Sequence, residues 1–324
     1  MLIDSEHRQF HYLRLSITDV CNFKCTYCLP DGYQCDTSRE FLTLSEIKRV
    51  VAAFAELGVS KIRITGGEPG LRKDLTSIIN VVKDTPGIEK VALTTNGFNL
   101  KRNIKQWLDA GLDALNVSID SLNPESFRQI TGSNQHQDIL QGLDSALDLG
   151  MQQVKVNTLL LKQSNLKQFD SFMQWIKHKP ISLRFIELMQ TGDNQSFFQQ
   201  QHVNGELLRQ RVEQAGWTQI IKSKDAGPAM EYFHGDYQGR VGFILPYGTG
   251  FCASCNRLRI SALGNLHPCL FAEEGLSLRH LLQHDEQKEQ VKLWLQQQLQ
   301  TKKASHYLHD NQVGATKHLA MLGG

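Results

Sequence analysis

Residues 13–28 have the sequence LRLSITDVCNFKCTYC, in which a short run of alternating apolar residues leads into three cysteines. Cys21, Cys25 and Cys28 follow a C-x3-C-x2-C spacing. Three such thiolates satisfy three irons of a four-iron, four-sulfur cluster. Because these clusters normally have four cysteine ligands, a three-cysteine site leaves one iron open for chemistry. The alternatives are a zinc knuckle or unrelated thiols, but zinc sites usually pair two C-x2-C arms, and no fourth ligand lies close in sequence.

The run CNFKCTYC, with an aromatic residue before its last cysteine, resembles the cluster loop of the radical S-adenosylmethionine (SAM) enzymes. In that superfamily the open iron of a [4Fe-4S] cluster binds SAM. The resemblance therefore implies a cluster on these three cysteines and SAM as a second cofactor.

The composition is that of an ordinary globular protein of 324 residues, with 40% hydrophobic and 21% charged residues. A formal net charge of +2 gives no reason to expect a nucleic-acid partner. The polar start of the chain, MLIDSEHRQFHY, shows no secretory signal, and no apolar run approaches the ~18 residues of a membrane span. Clustered cysteines without an export signal predict reduced, metal-binding thiols in the cytoplasm. Cys35 stands outside the clusters and is expected to be an incidental thiol.

Strand-like and helix-like segments alternate through the first two thirds of the chain. The predicted strands are Tyr12–Thr18, Lys61–Thr65, Lys90–Thr95, Ala114–Ile119, Gln153–Leu159 and Ser182–Glu187. The predicted helices are Ser45–Leu57, Asp74–Lys83, Ile104–Ala110, Ile139–Leu149 and Leu166–His178. Such alternation favours parallel strands with helical crossovers. Six units are complete by about Met189, whereas a full eight-unit barrel needs ~250 residues. The sequence therefore predicts an α/β fold with a partial (β/α)6 TIM-type barrel, although a doubly wound open sheet would show the same alternation.

Polar residues at the carboxyl ends of the predicted strands favour the barrel. The cysteine loop follows the first strand and GGEP, residues 66–69, follows the second. The later strands end with or contain Thr94, Thr95 and Asn96, then Ser118 and Asp120, then Lys155 and Asn157, and finally Glu187 and Met189. Barrel active sites lie at that face. Turn chemistry explains one polar strand end but not six in succession.

The character of the sequence changes after about residue 200, which predicts a barrel over residues 1–200 and a C-terminal region over residues 201–324. In this region we expect a helix from about Asn204 to Ala215 and a surface helix over Asp285–Thr301. Short strands are predicted at Thr218–Lys222, Met230–Phe233 and Arg240–Leu245.

A second cysteine triplet, Cys252, Cys255 and Cys269, follows a C-x2-C-x13-C spacing. Zinc could bind these thiolates together with His267, or a second cubane could use the three cysteines alone. Arg257 and Arg259 follow Cys255 immediately in the run CNRLR and, in a strand, would share one face. Two guanidinium groups beside an open iron suit a polyphosphate, which favours the second cluster.

With this triplet in place, the chain resembles the GTP 3′,8-cyclase family of molybdenum cofactor biosynthesis. The resemblance rests on both triplets, on the CNRLR arginines, on a chain that ends in two glycines, and on the ordered stretches KIRITGGEP, LTTNG, LNVSID, VKVNT, IELMQTG and FCASCNRLR. The departures are mild: Leu29 stands where methionine is more frequent, and Gly70 where a larger residue is frequent.

The resemblance implies roles for individual residues. It places one cluster on Cys21, Cys25 and Cys28 and a second on Cys252, Cys255 and Cys269. SAM would contact Tyr27, Gly67, Ser118 and Met189. GTP would contact Arg14, Arg63, Thr94, Lys155, Arg257, Leu258 and Arg259. The terminal Gly323 and Gly324 would reach the active site. Independently of the resemblance, a cation inside a filled barrel costs several kcal/mol if it is unpaired, which is a physical reason to expect an anion there.

The implied reaction is the conversion of GTP to 3′,8-cyclo-7,8-dihydro-GTP by a 5′-deoxyadenosyl radical that abstracts the C3′ hydrogen. An electron donor, a downstream pterin-forming enzyme and a homodimer are the implied partners. Two alternatives stay open at this point. One is another two-cluster radical SAM enzyme that matures a peptide; the other is a non-catalytic iron–sulfur or zinc module, which would need neither inward cations nor a GGEP turn.

Metal content distinguishes these alternatives. We predict that anaerobically prepared protein holds about eight irons per chain for two cubanes. Cys25→Ala and Cys255→Ala should each remove about four irons while the other cluster stays. Active protein that contained only about four irons and one zinc would contradict the second cluster.

Overall fold

The structure is a computed structural model that describes residues 1–34, 39–223, 226–310, 313–314, 316 and 319–323. Cys35 and Gly324 therefore lie outside the described residues. The strands are β1 (Tyr12–Ser16), β2 (Lys61–Thr65), β3 (Lys90–Thr95), β4 (Ala114–Ser118), β5 (Val154–Leu160), β6 (Ser182–Glu187), β7 (Thr218–Gln219), β8 (Met230–Phe233), β9 (Arg240–Ile244), β10 (Arg257–Ile260), β11 (Asn265–His267) and β12 (Leu276–Ser277).

The helices follow the strands in the order that the sequence predicts. They are α1 (Leu44–Glu56), α2 (Leu75–Lys83), α3 (Leu100–Asp109), α4 (Pro124–Thr131), α5 (His136–Asp148), α6 (Phe169–Lys177), α7 (Gln195–Gln201), α8 (Glu206–Gln214) and α9 (Lys288–Leu299). The sequence did not predict α4 or α7. A 3₁₀ turn at Leu319–Met321 begins the C-terminal tail, by which we mean residues 319–323.

One sheet contains all these strands, in the order β12-β11-β10-β1-β2-β3-β4-β5-β6-β9-β8-β7. Strands β1 to β6 are parallel, which confirms the six predicted β/α units. The C-terminal region adds one more parallel strand to each edge, with β10 beside β1 and β9 beside β6. The sequence did not predict this, because it gives no sign of which edge a late strand joins. In the described part of the chain β12 and β7 do not pair with each other, so the barrel stays open.

Helix α1 shows how local sequence fixes an element and connects the two regions. Thr43 caps the helix by accepting the backbone N–H of Glu46, whose carboxylate accepts the N–H of Thr43 in return. The helix predicted over Ser45–Leu57 therefore begins one residue earlier, at Leu44, with Thr43 rather than Ser45 as its cap. The Glu46 carboxylate also accepts a hydrogen bond from Arg279 Nε at 2.7 Å, and this ion pair attaches the C-terminal region to the barrel. Burial alone would raise the pKa of Glu46, but Arg279 and the cap lower it to about 2.

Alternation along the parallel strands separates an apolar outer face from a polar interior. Leu13 and Leu15 of β1 lie in the hydrophobic core beneath the helices. Arg14, which lies between these leucines, and Tyr12, which precedes them, line an internal cavity. Because neighbouring parallel strands are in register, inward residues of adjacent strands form rows across the barrel. This register determines which charges meet inside.

Candidate active site

The carboxyl ends of the strands enclose one cavity, which we call the upper cavity. It contains all residues that the sequence assigned to the first cluster and to SAM, and it also contains one glycine of the tail: Cys21, Cys25, Cys28, Tyr27, Gly67, Ser118, Met189 and Gly323. The three thiols are partly exposed, and burial raises the pKa of Cys28 to about 12. The cysteine loop, three strand ends and the tail thus meet at one place.

Gly66 and Gly67 bring the β2 loop against the cysteine loop. A Cβ at Gly67 would lie 2.3 Å from the Val20 carbonyl oxygen, and one at Gly66 would lie 2.3 Å from that of Thr18. Gly66 also has φ +156°. These glycines are therefore required by the close approach of two backbones. The resemblance implied a role for Gly67, as a contact of SAM.

Tyr27 is held by a buried carboxylate. Its hydroxyl donates to Asp120 Oδ2 at 2.8 Å, and Asp120 Oδ1 accepts the backbone N–H of Leu159 at 2.8 Å. Burial raises the pKa of Asp120 to about 6, despite these hydrogen bonds. The pair fixes the aromatic side chain beside the cysteines, where Tyr27 lines the upper cavity.

A second cavity, the central cavity, lies inside the barrel and is lined by cations. Arg14, Arg63, Lys155, Arg257 and Arg259 all contribute to its wall, as the sequence predicted. Register places Arg259, Arg14 and Arg63 side by side on three adjacent strands. Lys61 and Arg184 also line this cavity and were missed. Lys61 lies two residues before Arg63 on β2, a spacing that places both side chains on one face of the strand. Arg184 of β6 pairs with Asn157 of β5, which lies two residues after the inward Lys155.

Burial and mutual repulsion make it costly in free energy to keep the basic groups of the central cavity positively charged. Burial, together with the neighbouring Arg259 and Arg63, lowers the pKa of Arg14 to about 9. Burial and Arg184 lower the pKa of Lys155 to about 7. Burial alone would raise the pKa of Tyr12, but Arg63, Arg14 and Lys61 lower it to about 7. An anion in this cavity would favour the protonated forms of all three groups and so raise their pKa values.

Some compensation already exists inside the barrel. Arg184 Nη2 donates to Glu231 Oε1 at 2.6 Å, and Arg63 Nε donates to the Tyr12 hydroxyl. Other polar atoms have no hydrogen-bond partner: within the described residues, Arg259 Nε and Asn157 Oδ1 are buried and unsatisfied. Orphaned donors and acceptors of this kind indicate a ligand position.

Two predicted GTP contacts lie elsewhere. Leu258 packs in the hydrophobic core with its side chain on the opposite face from Arg257 and Arg259, so only its backbone can face the cavity. Thr94 lines the upper cavity rather than the central one, and its hydroxyl accepts a hydrogen bond from Arg63 Nη1 at 3.1 Å. Thr94 therefore connects the two cavities through Arg63.

The second cysteine triplet lies at the other end of the barrel. Cys21 comes after β1, whereas Cys252 and Cys255 come before β10, which runs parallel to β1. Cys269 follows β11, which is antiparallel to β10 and so returns to the same end. All three cysteines line the central cavity. Burial alone would raise the pKa of Cys255, but Arg257 and Lys302 lower it.

Neither nearby histidine is arranged as a fourth ligand of this triplet. His267 is not part of the wall of the central cavity, and burial with Arg259 lowers its pKa to about 4. His306 Nε2 donates to the Pro246 carbonyl at 2.9 Å, and its Nδ1 accepts the Leu308 N–H at 3.0 Å. Across the described residues, no group of three or more histidine, cysteine or acidic side chains is arranged to hold a single metal ion.

The tail joins the two cavities. Arg14 of the cation row donates through Nη2 to the Gly323 carbonyl, while Gly323 lines the upper cavity. Gly323 has φ +62°, and a Cβ there would lie 2.3 Å from Thr65. Asn157, Ile186 and Met189 are common to both cavities, which therefore share a wall.

Comparison with known proteins gives the family. A model described as "Radical SAM superfamily" matches residues 15–176, and one described as "Molybdenum Cofactor Synthesis C" matches residues 181–308. The chain is 54% identical to "GTP 3',8-cyclase" of Vibrio vulnificus (strain CMCP6) over 99% of this chain and 97% of the relative. It is 52% identical to the protein of the same name from Yersinia pestis, over 100% of this chain and 99% of the relative. The chain belongs to the GTP 3′,8-cyclase family.

Solved structures support the fold. Streptococcus suis SuiB bound to S-adenosylmethionine has a TM-score of 0.58 over 88% of this chain and 68% of that chain, at 13% identity. At this identity the likeness shows the fold alone. Membership of the radical SAM superfamily implies SAM and one [4Fe-4S] cluster for the GTP 3′,8-cyclase family. Within the described residues no helix has both the length and the apolarity to cross a bilayer.

The charges in the central cavity predict a pH dependence of GTP binding. A bound polyanion favours the protonated forms of Lys155 and Tyr12, whose pKa values are about 7 in the free protein. Binding should therefore take up protons above pH 7. The affinity for GTP should fall as pH rises from 7.5 to 9, by up to about tenfold per pH unit for each proton taken up. Equilibrium binding under anaerobic conditions measures this slope, and Tyr12→Phe and Lys155→Met should each flatten it. A slope of zero would contradict the prediction.

Proposed function

We propose that this chain converts GTP to 3′,8-cyclo-7,8-dihydro-GTP, the first step of molybdenum cofactor biosynthesis. The observation that carries the proposal is the shared wall between the two cavities. The upper cavity contains the first cysteine triplet, and the central cavity is lined by at least five cations. A tetra-anionic nucleotide in the central cavity would thus have its ribose close to whatever the upper cavity holds.

The first triplet fits a cubane. Its three thiols face one cavity without being arranged around a single ion, and Asn96 Nδ2 lies 4.0 Å from Cys21 Sγ as a hydrogen-bond donor. Cys21, Cys25 and Cys28 would hold a [4Fe-4S] cluster there, which would supply the electron for the reductive cleavage of SAM. Gly67, Tyr27, Ser118 and Met189 would bind SAM against this cluster.

The second triplet supports a second cubane rather than zinc. A zinc ion needs four donors within about 2.0–2.3 Å. The described cysteines form no single-ion group, and both nearby histidines are otherwise placed. Three thiols beside Arg257 and Arg259 suit a four-iron cluster, which is larger than a single zinc ion and would face the bound nucleotide.

The chain's own residues would position the substrate. Arg14, Arg63, Lys155, Arg257 and Arg259 would neutralise and orient the triphosphate, and Lys61 and Arg184 would add to this charge. A hydrogen bond to a charged group contributes roughly 1.5–3 kcal/mol, so each lost arginine would weaken binding about 10–100-fold.

The partners follow from the chemistry. The reaction needs an electron donor, and its cyclic product needs a second enzyme that forms the pterin. A cytoplasmic location and a homodimer remain predictions. SuiB has also been solved bound to the precursor peptide SuiA. The likeness to SuiB shows only the fold, so it gives no support to peptide maturation, the alternative activity.

The proposal is tested by anaerobic incubation of reconstituted protein with SAM, a reductant and GTP. We expect 5′-deoxyadenosine to form with GTP and far less with ATP, together with a cyclised nucleotide. Cys25→Ala should abolish SAM cleavage. Cys255→Ala should leave SAM cleavage possible but lose the cyclised product. Formation of 5′-deoxyadenosine that did not depend on any nucleotide would count against the proposal.

The tail gives a separate prediction. Because Gly323 touches both Arg14 and Thr65, we expect removal of Gly323 and Gly324 to misplace reacting groups while both clusters stay. A misplacement of ~1 Å can cost about 100-fold in rate. The truncated protein should bind GTP within a few-fold of the full chain but scarcely form product. Full turnover by protein ending at Leu322 would show that the tail is dispensable.

A further inference from the structure

A third cavity opens at the amino ends of the strands, opposite the first cysteine triplet. This lower cavity has a volume of about 540 Å³. Its wall includes Lys61 at the start of β2, Lys155 near the start of β5 and Arg240 at the start of β9. It belongs neither to the first cluster site nor to the predicted SAM site.

Positive charge dominates the lower cavity. Six of its described lining residues are cations, Lys61, Lys90, Lys155, Arg184, Lys222 and Arg240, against one carboxylate, Glu231. Glu231 is already engaged by Arg184. Charged clefts of one sign concentrate oppositely charged ligands and accelerate their association. The lower cavity therefore attracts anions.

The lower and central cavities are continuous in their walls. Lys61, Lys155, Arg184 and Gly227 line both. An anion in the lower cavity would thus meet the same side chains that hold the triphosphate inside the barrel. The upper cavity contains the first cysteine triplet and the residues assigned to SAM, so bound SAM would occupy that end of the barrel.

We propose that the lower cavity is a docking site for nucleoside triphosphates and the route by which GTP reaches the barrel, while SAM binds from the opposite end. The proposal rests on the proposed function. It implies that the two substrates bind in either order. Arg240 and Lys222, both exposed at the rim, steer the nucleotide inward.

Gly227 offers a way to narrow this route without strain. It lies at the junction of the two cavities and its φ is outside the left-handed region. Among the described residues, apart from its two chain neighbours, no heavy atom lies within 4 Å of a Cβ built there. A side chain at this position would project into open space. Gly235, in the turn between β8 and β9, is equally open but lines neither cavity, which makes it a matched control.

The experiment measures association and dissociation of GTP with the anaerobic holoenzyme by stopped flow. A narrowed route slows movement in both directions, so Gly227→Phe should lower the association and the dissociation rate constants of GTP together. Gly235→Phe should match the wild type. The Lys222→Glu, Arg240→Glu double variant should lower the association rate about tenfold at low salt, and the difference should shrink as salt rises. SAM affinity should stay the same throughout.

The outcomes separate this proposal from the proposed function. If the wild type binds no GTP, the proposed function fails and the route with it. If the wild type binds GTP but Gly227→Phe leaves both rates unchanged, or raises only the dissociation rate, the route alone is overturned. Iron content and thermal midpoint equal to those of the wild type establish that each variant is folded.

Discussion

Positive charge buried inside a parallel barrel is the constraint on which the rest of this structure depends. In-register strands bring Arg259, Arg14 and Arg63 into one row. The positive charges of Arg259 and Arg63 disfavour the protonated form of Arg14 between them. An apolar barrel interior would be more stable without them. Tyr12 and Glu231 offset part of the repulsion, but orphaned polar atoms remain. Among the residues that the structure describes, cations outnumber carboxylates in the interior, which is thus suited to an anionic ligand.

This constraint explains why the C-terminal region is divided between both edges of the sheet. Strand β10 brings two arginines beside Arg14, and β9 with β8 brings Glu231 beside Arg184. One edge therefore adds positive charge and a cysteine triplet, and the other adds the balancing carboxylate. The C-terminal region completes the electrostatics of the barrel as well as its wall.

The chemistry is distributed along the axis of the barrel. The first triplet lies beyond the carboxyl ends of the strands, the second lies before the amino ends, and the cations lie between them. Gly323 spans part of this distance by contacting Arg14 and Thr65. In the proposed function the nucleotide would lie between two metal-binding ends, and the amino-terminal face would be its separate approach.

The sequence by itself determined the six β/α units and both cysteine triplets, because period-two alternation and short motif spacings are local properties. The resemblance to the family supplied five of the cations that line the central cavity. The start of α1 was wrong by only one residue. The tertiary structure alone decided that β9 and β10 join opposite edges and that the triplets lie at opposite ends. It also added further cations to the wall of the central cavity, namely Arg8, Lys61, Arg184, Lys302 and Lys303. It also showed that Leu258 faces the core. These are consequences of strand order and register, which depend on pairing between residues far apart in the chain, and no local pattern encodes them.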